Sequence, residues 1–167
     1  PGFTNIDEQH PDAPASLDWV GLNYYSNLLT TPLAKREPPF KTLSRRGQAI
    51  TDMPYATYPE GFYRALMRIN TRGKPIYVTE NGIADDRDDR REDWIRRYAY
   101  AMSRARRDGA DIRGFHYWSL LDNFEWAEGY DMRFGLYEVD YETQARRLRD
   151  GSRSLGEIIR RFRGEAT

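Results

Sequence analysis

Glu80 is the residue of this sequence best placed to do chemistry. It closes the apolar run Pro75-Ile76-Tyr77-Val78-Thr79 and stands directly before Asn81-Gly82. A carboxylate at the end of a strand can act as nucleophile, base or metal ligand, and spacing alone does not choose among them. A surface carboxylate beside an ordinary turn has the same pattern. A denser cluster is Trp118-Ser119-Leu120-Leu121-Asp122-Asn123-Phe124-Glu125-Trp126, with two tryptophans, a phenylalanine and two acids in one short stretch. An indole can stack on the C–H face of a pyranose while carboxylates bond its hydroxyls, so this composition suits a sugar. A core strand and a packed loop would read the same way, because tryptophan is mostly buried for stability.

Such residues need elements to position them. Leu17 to Tyr25 is a continuous apolar and aromatic run, which predicts a strand buried on both faces. Pro1 to Ser16 has no apolar period and reads as loop or the tail of a helix. Residues 30–57, rich in Pro, Thr and Arg, read as a long loop. A helix is predicted from Tyr58-Pro59-Glu60-Gly61 to Arg72-Gly73, with Phe62, Leu66 and Ile69 on one side. The second strand is Pro75 to Thr79. A long helix follows from about Arg90 to Asp108, with Trp94, Ile95, Tyr98, Ala101, Met102 and Ala105 in one stripe and Gly109 as its stop. Ile112 to Leu121 reads as a third buried strand. Residues 135–139 and 145–149 can pair as a hairpin. A last helix over about Ser152 to Arg163 would turn Leu155, Ile158, Ile159 and Phe162 inward.

Alternation along the strands groups the polar residues. Gly21, Asn23 and Tyr25 share a face, as do Ile76, Val78 and Glu80, and Gly114, His116, Trp118 and Leu120. Each group puts polar or amphipathic side chains near a strand's C-terminal end, where parallel β/α proteins bind ligands.

Composition narrows the function further. The chain has 167 residues, 26 Lys+Arg against 26 Asp+Glu, and a net charge of +0, without the basic excess of a nucleic-acid binder. It has no cysteine, so disulfides, thiolate metal sites and a cysteine nucleophile are excluded. Its histidines are His10 and His116, too few for a multi-histidine metal site. No apolar run reaches the ~18–20 residues of a membrane span. The arginine pairs at 45–46, 90–91, 96–97, 106–107, 146–147 and 160–161 read as solvated faces balanced by acids.

The order strand, helix, strand, helix, strand, hairpin, helix is α/β with parallel βαβ units. Three such strands leave two unpaired edges, and an eight-stranded β/α barrel that would close them needs ~250 residues. The start at Pro1-Gly2-Phe3, without Met, adds to the expectation that residues 1–167 are a portion of a larger barrel.

Asp18-Trp19-Val20-Gly21-Leu22-Asn23-Tyr24-Tyr25, Tyr77-Val78-Thr79-Glu80-Asn81-Gly82, and Trp118 to Trp126 with Glu128-Gly129-Tyr130 resemble glycoside hydrolase family 1, the β-glucosidase-like enzymes. They occur in that family's order and at about its spacing. Arg133-Phe134-Gly135-Leu136 and Val139-Asp140-Tyr141 resemble its C-terminal segment. The resemblance implies the C-terminal portion of a single (β/α)8 TIM-barrel domain, strands six to eight, with the N-terminal portion absent. It implies Glu80 as catalytic nucleophile of a retaining β-glycosidase, contacted by Tyr25, with Asn23 nearby. It implies Trp118 as a platform under the sugar, Glu125 and Trp126 as binders of its outer hydroxyls, and Phe134 bordering the same subsite. No metal or organic cofactor is implied.

The family's acid/base glutamate lies in an Asn-Glu-Pro motif that does not occur here; Arg36-Glu37-Pro38 and Tyr58-Pro59-Glu60 are the nearest sequences. Retaining hydrolysis needs two carboxyl groups about 5–5.5 Å apart. The expectation is therefore a chain inactive alone, with the N-terminal half of the barrel as partner and a β-glycoside as substrate. No nucleic acid or membrane partner is expected, and a cytoplasmic location is. A non-catalytic sugar-binding or scaffold fragment is the alternative.

Overall fold

Parallel strands alternating with helices form the centre of the chain. The computed structural model describes residues 13–27 and 49–164. Within them β1 (Val20–Asn23), β2 (Ile76–Asn81) and β3 (Ile112–Tyr117) make one parallel sheet in the order β1-β2-β3. Helix α1 (Pro59–Asn70) precedes β2, and α2 (Arg91–Arg107) joins β2 to β3. A two-stranded antiparallel hairpin, β4 (Tyr137–Val139) with β5 (Arg146–Leu148), and helix α3 (Arg153–Arg163) follow.

Local chemistry explains the helix ends. Pro59 opens α1, where its fixed φ suits the first turn and its missing N–H is no loss. At the start of α2 the buried Asp85 carboxylate accepts hydrogen bonds from the backbone N–H of Arg90 (3.0 Å) and Arg91 (2.9 Å). These donors have no partner inside the helix, so Asp85 caps it from outside. The helix stops at Asp108, and Gly109 follows at φ +97. Glu92–Arg96 and Asp93–Arg97 pair along its exposed face.

The core lies on one side of the sheet. Phe62 and Leu66 of α1, Trp94 and Tyr98 of α2, and Ile76, Val78 and Ile112 of the strands are buried together. Trp94 stacks on Tyr98 with ring centroids 3.9 Å apart. The opposite face carries Trp19, Gly21, Tyr77 and Gly114. A Cβ at Gly114 would fall 2.4 Å from the Tyr77 ring, so this face is shaped around that aromatic.

Among the described residues helices cover one side only, and this changes three expectations. β1 is four residues long and alternates between half-buried and exposed positions rather than being buried on both faces. Leu17 and Trp19 are about half exposed. The third strand ends at Tyr117, not Leu121; the next peptide bond, Trp118–Ser119, is cis, and Leu120 is exposed. In α3, Leu155 and Ile158 pack on the core, but Ile159 and Phe162 are exposed because α3 rests mainly on α2. The Arg106 guanidinium lies over the Phe162 ring.

Of the first segment, Ala13–Ser16 forms a 3-10 turn, and residues 1–12 with His10 lie outside the described residues. Most of the predicted 30–57 loop also lies outside them. Its described end folds back on itself through an Ile50–Ala56 bridge. Among the described residues no helix is long and apolar enough to cross a membrane.

Candidate active site

An irregularity in β2 aims Glu80. Along β1 and β2 the pairs are Val20–Ile76, Gly21–Tyr77 and Leu22–Val78, and then Asn23 meets Glu80, skipping Thr79. On the other side Val78 pairs with Phe115 and Asn81 with Tyr117, three steps on β2 against two on β3. The extra residue is a β-bulge, which turns side chains that follow it. Strict alternation would place Glu80 with Ile76 and Val78. Instead those two are buried against the helices, and Glu80 lies with Asn23 and Thr79 on the opposite face. Asn81, beyond the bulge, returns to the helix side and is fully buried.

Tyr25, two residues past the end of β1, donates from its hydroxyl to Glu80 Oε2 at 2.7 Å. Burial, the hydrogen bond to Glu80 and the negative charges of Glu80 and Glu125 hold the Tyr25 phenol far above its ordinary pKa. The shift favours the protonated phenol, the form that can donate to Glu80. Asn23 stands beside this pair, its Oδ1 accepting from the Thr79 hydroxyl at 2.6 Å.

The Trp118–Trp126 stretch arrives from β3. The Trp118 backbone N–H donates to the Asn81 carbonyl at 3.0 Å, and its indole N–H donates to Glu125 Oε2 at 3.4 Å. Gly82 allows this approach: a Cβ there would fall 1.7 Å from the Trp118 carbonyl oxygen. Trp126 has a positive φ of 46, unusual for a bulky residue, and its side chain is 80% exposed. Phe124 and Tyr130 are exposed beside it and meet edge to face. Together they leave an apolar, aromatic rim above the strand ends. Asp122, in the same stretch, turns away from this rim. It is buried and binds the backbone N–H of Gly135 and Val139 and the Arg149 guanidinium.

Phe134 is buried, 3% exposed, and meets the Tyr25 ring edge-on at 6.0 Å. It stands behind Tyr25 rather than open to solvent. Tyr55 flanks Tyr25 on another side at 5.8 Å. Burial and the charges of Glu125 and Glu128 raise the Tyr55 pKa, which puts its ring in the same neighbourhood. Tyr55 and Thr79 carried no signal in the sequence: Tyr55 sits in an aperiodic segment, and Thr79 read as an ordinary strand residue. Among the described residues no group of three or more His, Asp or Glu could hold a metal ion.

The structure thus brings together Asn23, Tyr25, Glu80, Trp118 and Glu125, with Trp126 at the rim and Phe134 behind. The arrangement offers a positioned carboxylate next to an aromatic surface bearing a second carboxylate. Glu60 does not join it; it is exposed in the first turn of α1, while Glu37 lies outside the described residues.

The chain matches the family model of glycosyl hydrolase family 1 over residues 1–163. It is 39% identical over 176 residues to a β-galactosidase of Pyrococcus woesei, covering 92% of this chain and 34% of that protein. It is 35% identical over 170 residues to β-glucosidase A of Thermotoga maritima, covering 93% of this chain and 37% of that one. The crystal structure of a hyperthermophilic β-glucosidase from Pyrococcus furiosus superposes with a TM-score of 0.77 at 36% identity, over 93% of this chain and 35% of the other. A Thermotoga maritima β-glucosidase in complex with glucoimidazole superposes with a TM-score of 0.75 at 36% identity, over 86% and 34% of the two chains. The chain spans about a third of the length of these relatives.

Proposed function

The chain belongs to glycosyl hydrolase family 1, and on that premise we propose that residues 1–167 are the C-terminal portion of a retaining β-glycosidase barrel. In this reading β1, β2 and β3 are barrel strands six, seven and eight. The uncovered face with Trp19 and Tyr77 is the barrel interior. The outer edges of β1 and β3, which pair with no strand among the described residues, join the remaining five strands. The partner is the N-terminal half of the same barrel, which supplies the second carboxyl group.

The observation that carries the reading is the 2.7 Å hydrogen bond from Tyr25 to Glu80 on the face that also presents Trp118 and Glu125. With one carboxylate oxygen held by Tyr25, the other attacks the anomeric carbon of a terminal β-linked sugar. The bond to the leaving oxygen breaks, and a glycosyl ester forms on Glu80. The carboxyl group of the N-terminal portion gives its proton to the leaving oxygen. It then takes one from the water that hydrolyses the ester. Trp118 lies under the sugar ring. Glu125 and Trp126 bind outer hydroxyls, and Asn23 binds near the reacting carbon. Phe134 contributes by backing Tyr25. A purely sugar-binding module would have no use for a tyrosine donor held on a carboxylate at this position.

The test is to combine this chain with the N-terminal portion and treat the product with a 2-deoxy-2-fluoro β-glycoside bearing a good leaving group. The fluorine slows hydrolysis of the ester, so the label should accumulate on Glu80 and be found there by peptide mass. The chain alone is expected to show no turnover. Label on another residue would overturn the assignment, and turnover by the chain alone would overturn the need for a partner.

A further inference from the structure

Arg91 belongs to one of the arginine pairs that read as solvated, yet its side chain has 0% exposure. Its guanidinium reaches six acceptors. Nε donates to Asp88 Oδ1 at 2.8 Å. Nη1 donates its two N–H groups to three acceptors, one N–H being shared: the Ile83 carbonyl at 3.1 Å, the Tyr117 hydroxyl at 2.8 Å and the Phe134 carbonyl at 3.2 Å. Nη2 donates to the carbonyls of Asp85 at 2.8 Å and Arg133 at 3.1 Å. Burial works against its charge, but the Tyr117 hydroxyl and the Asp88 carboxylate outweigh it and leave the pKa raised.

The acceptors come from three separate stretches. Ile83 and Asp85 lie in the turn after β2, three and five residues beyond Glu80. Tyr117 is the last residue of β3, immediately before Trp118. Arg133 and Phe134 lie in the segment leading to β4. Four of the six acceptors are backbone carbonyls, so Arg91 fixes the path of the main chain as well as one ion pair. A buried ion pair alone would need only Asp88. Through Phe134 the hold extends to Tyr25, whose hydroxyl binds Glu80.

We propose that Arg91 is a positioning residue for the Glu80 site, which rests on the reading of Glu80 as nucleophile. It ties the end of β2, the start of the Trp118 stretch and the Phe134 wall into one piece, and so sets where Tyr25 holds the carboxylate. Only arginine suits this position. Lysine brings three donors at a single point and cannot span acceptors arranged around a planar fork. Misplacing a reacting group by about 1 Å costs on the order of 10²-fold in rate.

The test uses the completed barrel with Arg91→Lys and, as a milder change, Tyr117→Phe, which removes one acceptor and leaves the ring. Active sites are counted by fluoro-glycoside labelling, so kcat refers to folded, competent sites. Arg91→Lys is expected to lower kcat by roughly 30- to 100-fold with KM within about threefold, the pattern of a loss felt at the transition state. Tyr117→Phe is expected to lower kcat by roughly threefold with KM unchanged. If both variants keep kcat per labelled site within about twofold of the parent, even with a lower Tm, the proposal fails and Arg91 serves stability only. If Arg91→Lys does not fold, Tyr117→Phe decides by the same criterion. If the unaltered protein is not labelled on Glu80, the reading of the nucleophile fails, and this assignment fails with it for a distinguishable reason.

Discussion

Asn23 stands opposite Glu80 across β1 and β2, one residue later than the ladder below it would place the pairing. That single skipped residue moves the carboxylate from the helix-covered face to the open one. It is the step that lets a tyrosine beyond β1 reach a glutamate near the end of β2.

Removing the Glu80 carboxylate should remove the proposed nucleophile and leave the fold intact, because Glu80 is only partly buried. In the completed barrel Glu80→Ala is expected to lower turnover of an activated aryl β-glycoside by at least ~10⁴-fold, the scale of losing a covalent step. Added azide should enter the vacated space, attack the anomeric carbon and give a glycosyl azide of inverted configuration. Ordinary activity in the variant, or azide product with retained configuration, would count against the assignment.

Tyr25→Phe keeps the ring against Phe134 and Tyr55 and deletes only the hydroxyl. A hydrogen bond to a charged group is worth about 1.5–3 kcal/mol, so kcat should fall by roughly 10- to 100-fold. The rate of fluoro-glycoside labelling should fall in parallel. A labelling rate equal to the parent's would show that the tyrosine does not act on the attacking carboxylate.

Glu125→Gln exchanges a carboxylate for an amide at the residue that accepts from the Trp118 indole. The expected outcome is weaker binding, with KM raised by about 10-fold or more, and a changed ranking of glucosides, galactosides and fucosides. Kinetics unchanged across the three sugars would remove Glu125 from the binding surface.

The buried tyrosines should make the protein sensitive to alkali. Burial pushes the Tyr98 phenol up to about 12, against an ordinary value near 10, and raises Tyr24 and Tyr25 as well. A folded pKa above the unfolded one gives stability that is whole below pH ~10 and is lost as pH rises through the folded value. For Tyr98 alone the loss is on the order of 2 kcal/mol. Tyr98→Phe should lower stability at pH 8 by about 1 kcal/mol, because the Tyr58 N–H loses its acceptor. It should also flatten the decline above pH 10. Denaturant melts of both proteins from pH 8 to 11.5 check this; parallel curves would refute it.

Local pattern makes much of this molecule legible in its sequence. Phe62 and Leu66, or Trp94, Ile95 and Tyr98, announce their helices because one-sided burial sets a helical period. Glu80 and the Trp118 stretch stand out because their residue types are unusual at strand ends. What the pattern misses depends on contacts far apart in the chain. The bulge at Glu80 arises from pairing with two neighbouring strands at once, and alternation within β2 cannot reveal it. Arg91 looks like any helix-surface arginine; its burial depends on residues up to Phe134. The half-exposed Leu17 and Trp19 beside β1, and the exposed Phe162, likewise depend on which elements pack nearby. On the proposed reading, these apolar surfaces meet the rest of the barrel.

On the proposed reading, the groups that steady Glu80, namely Tyr25, Phe134 and Arg91, all fall between Tyr25 and Phe134 in the sequence. If Glu80 is the attacking group, the attacking half of the reaction is then a module in the genetic sense. A break or recombination point ahead of β1 would hand it on whole, while the leaving-group half could diverge under different selection without disturbing the nucleophile's support.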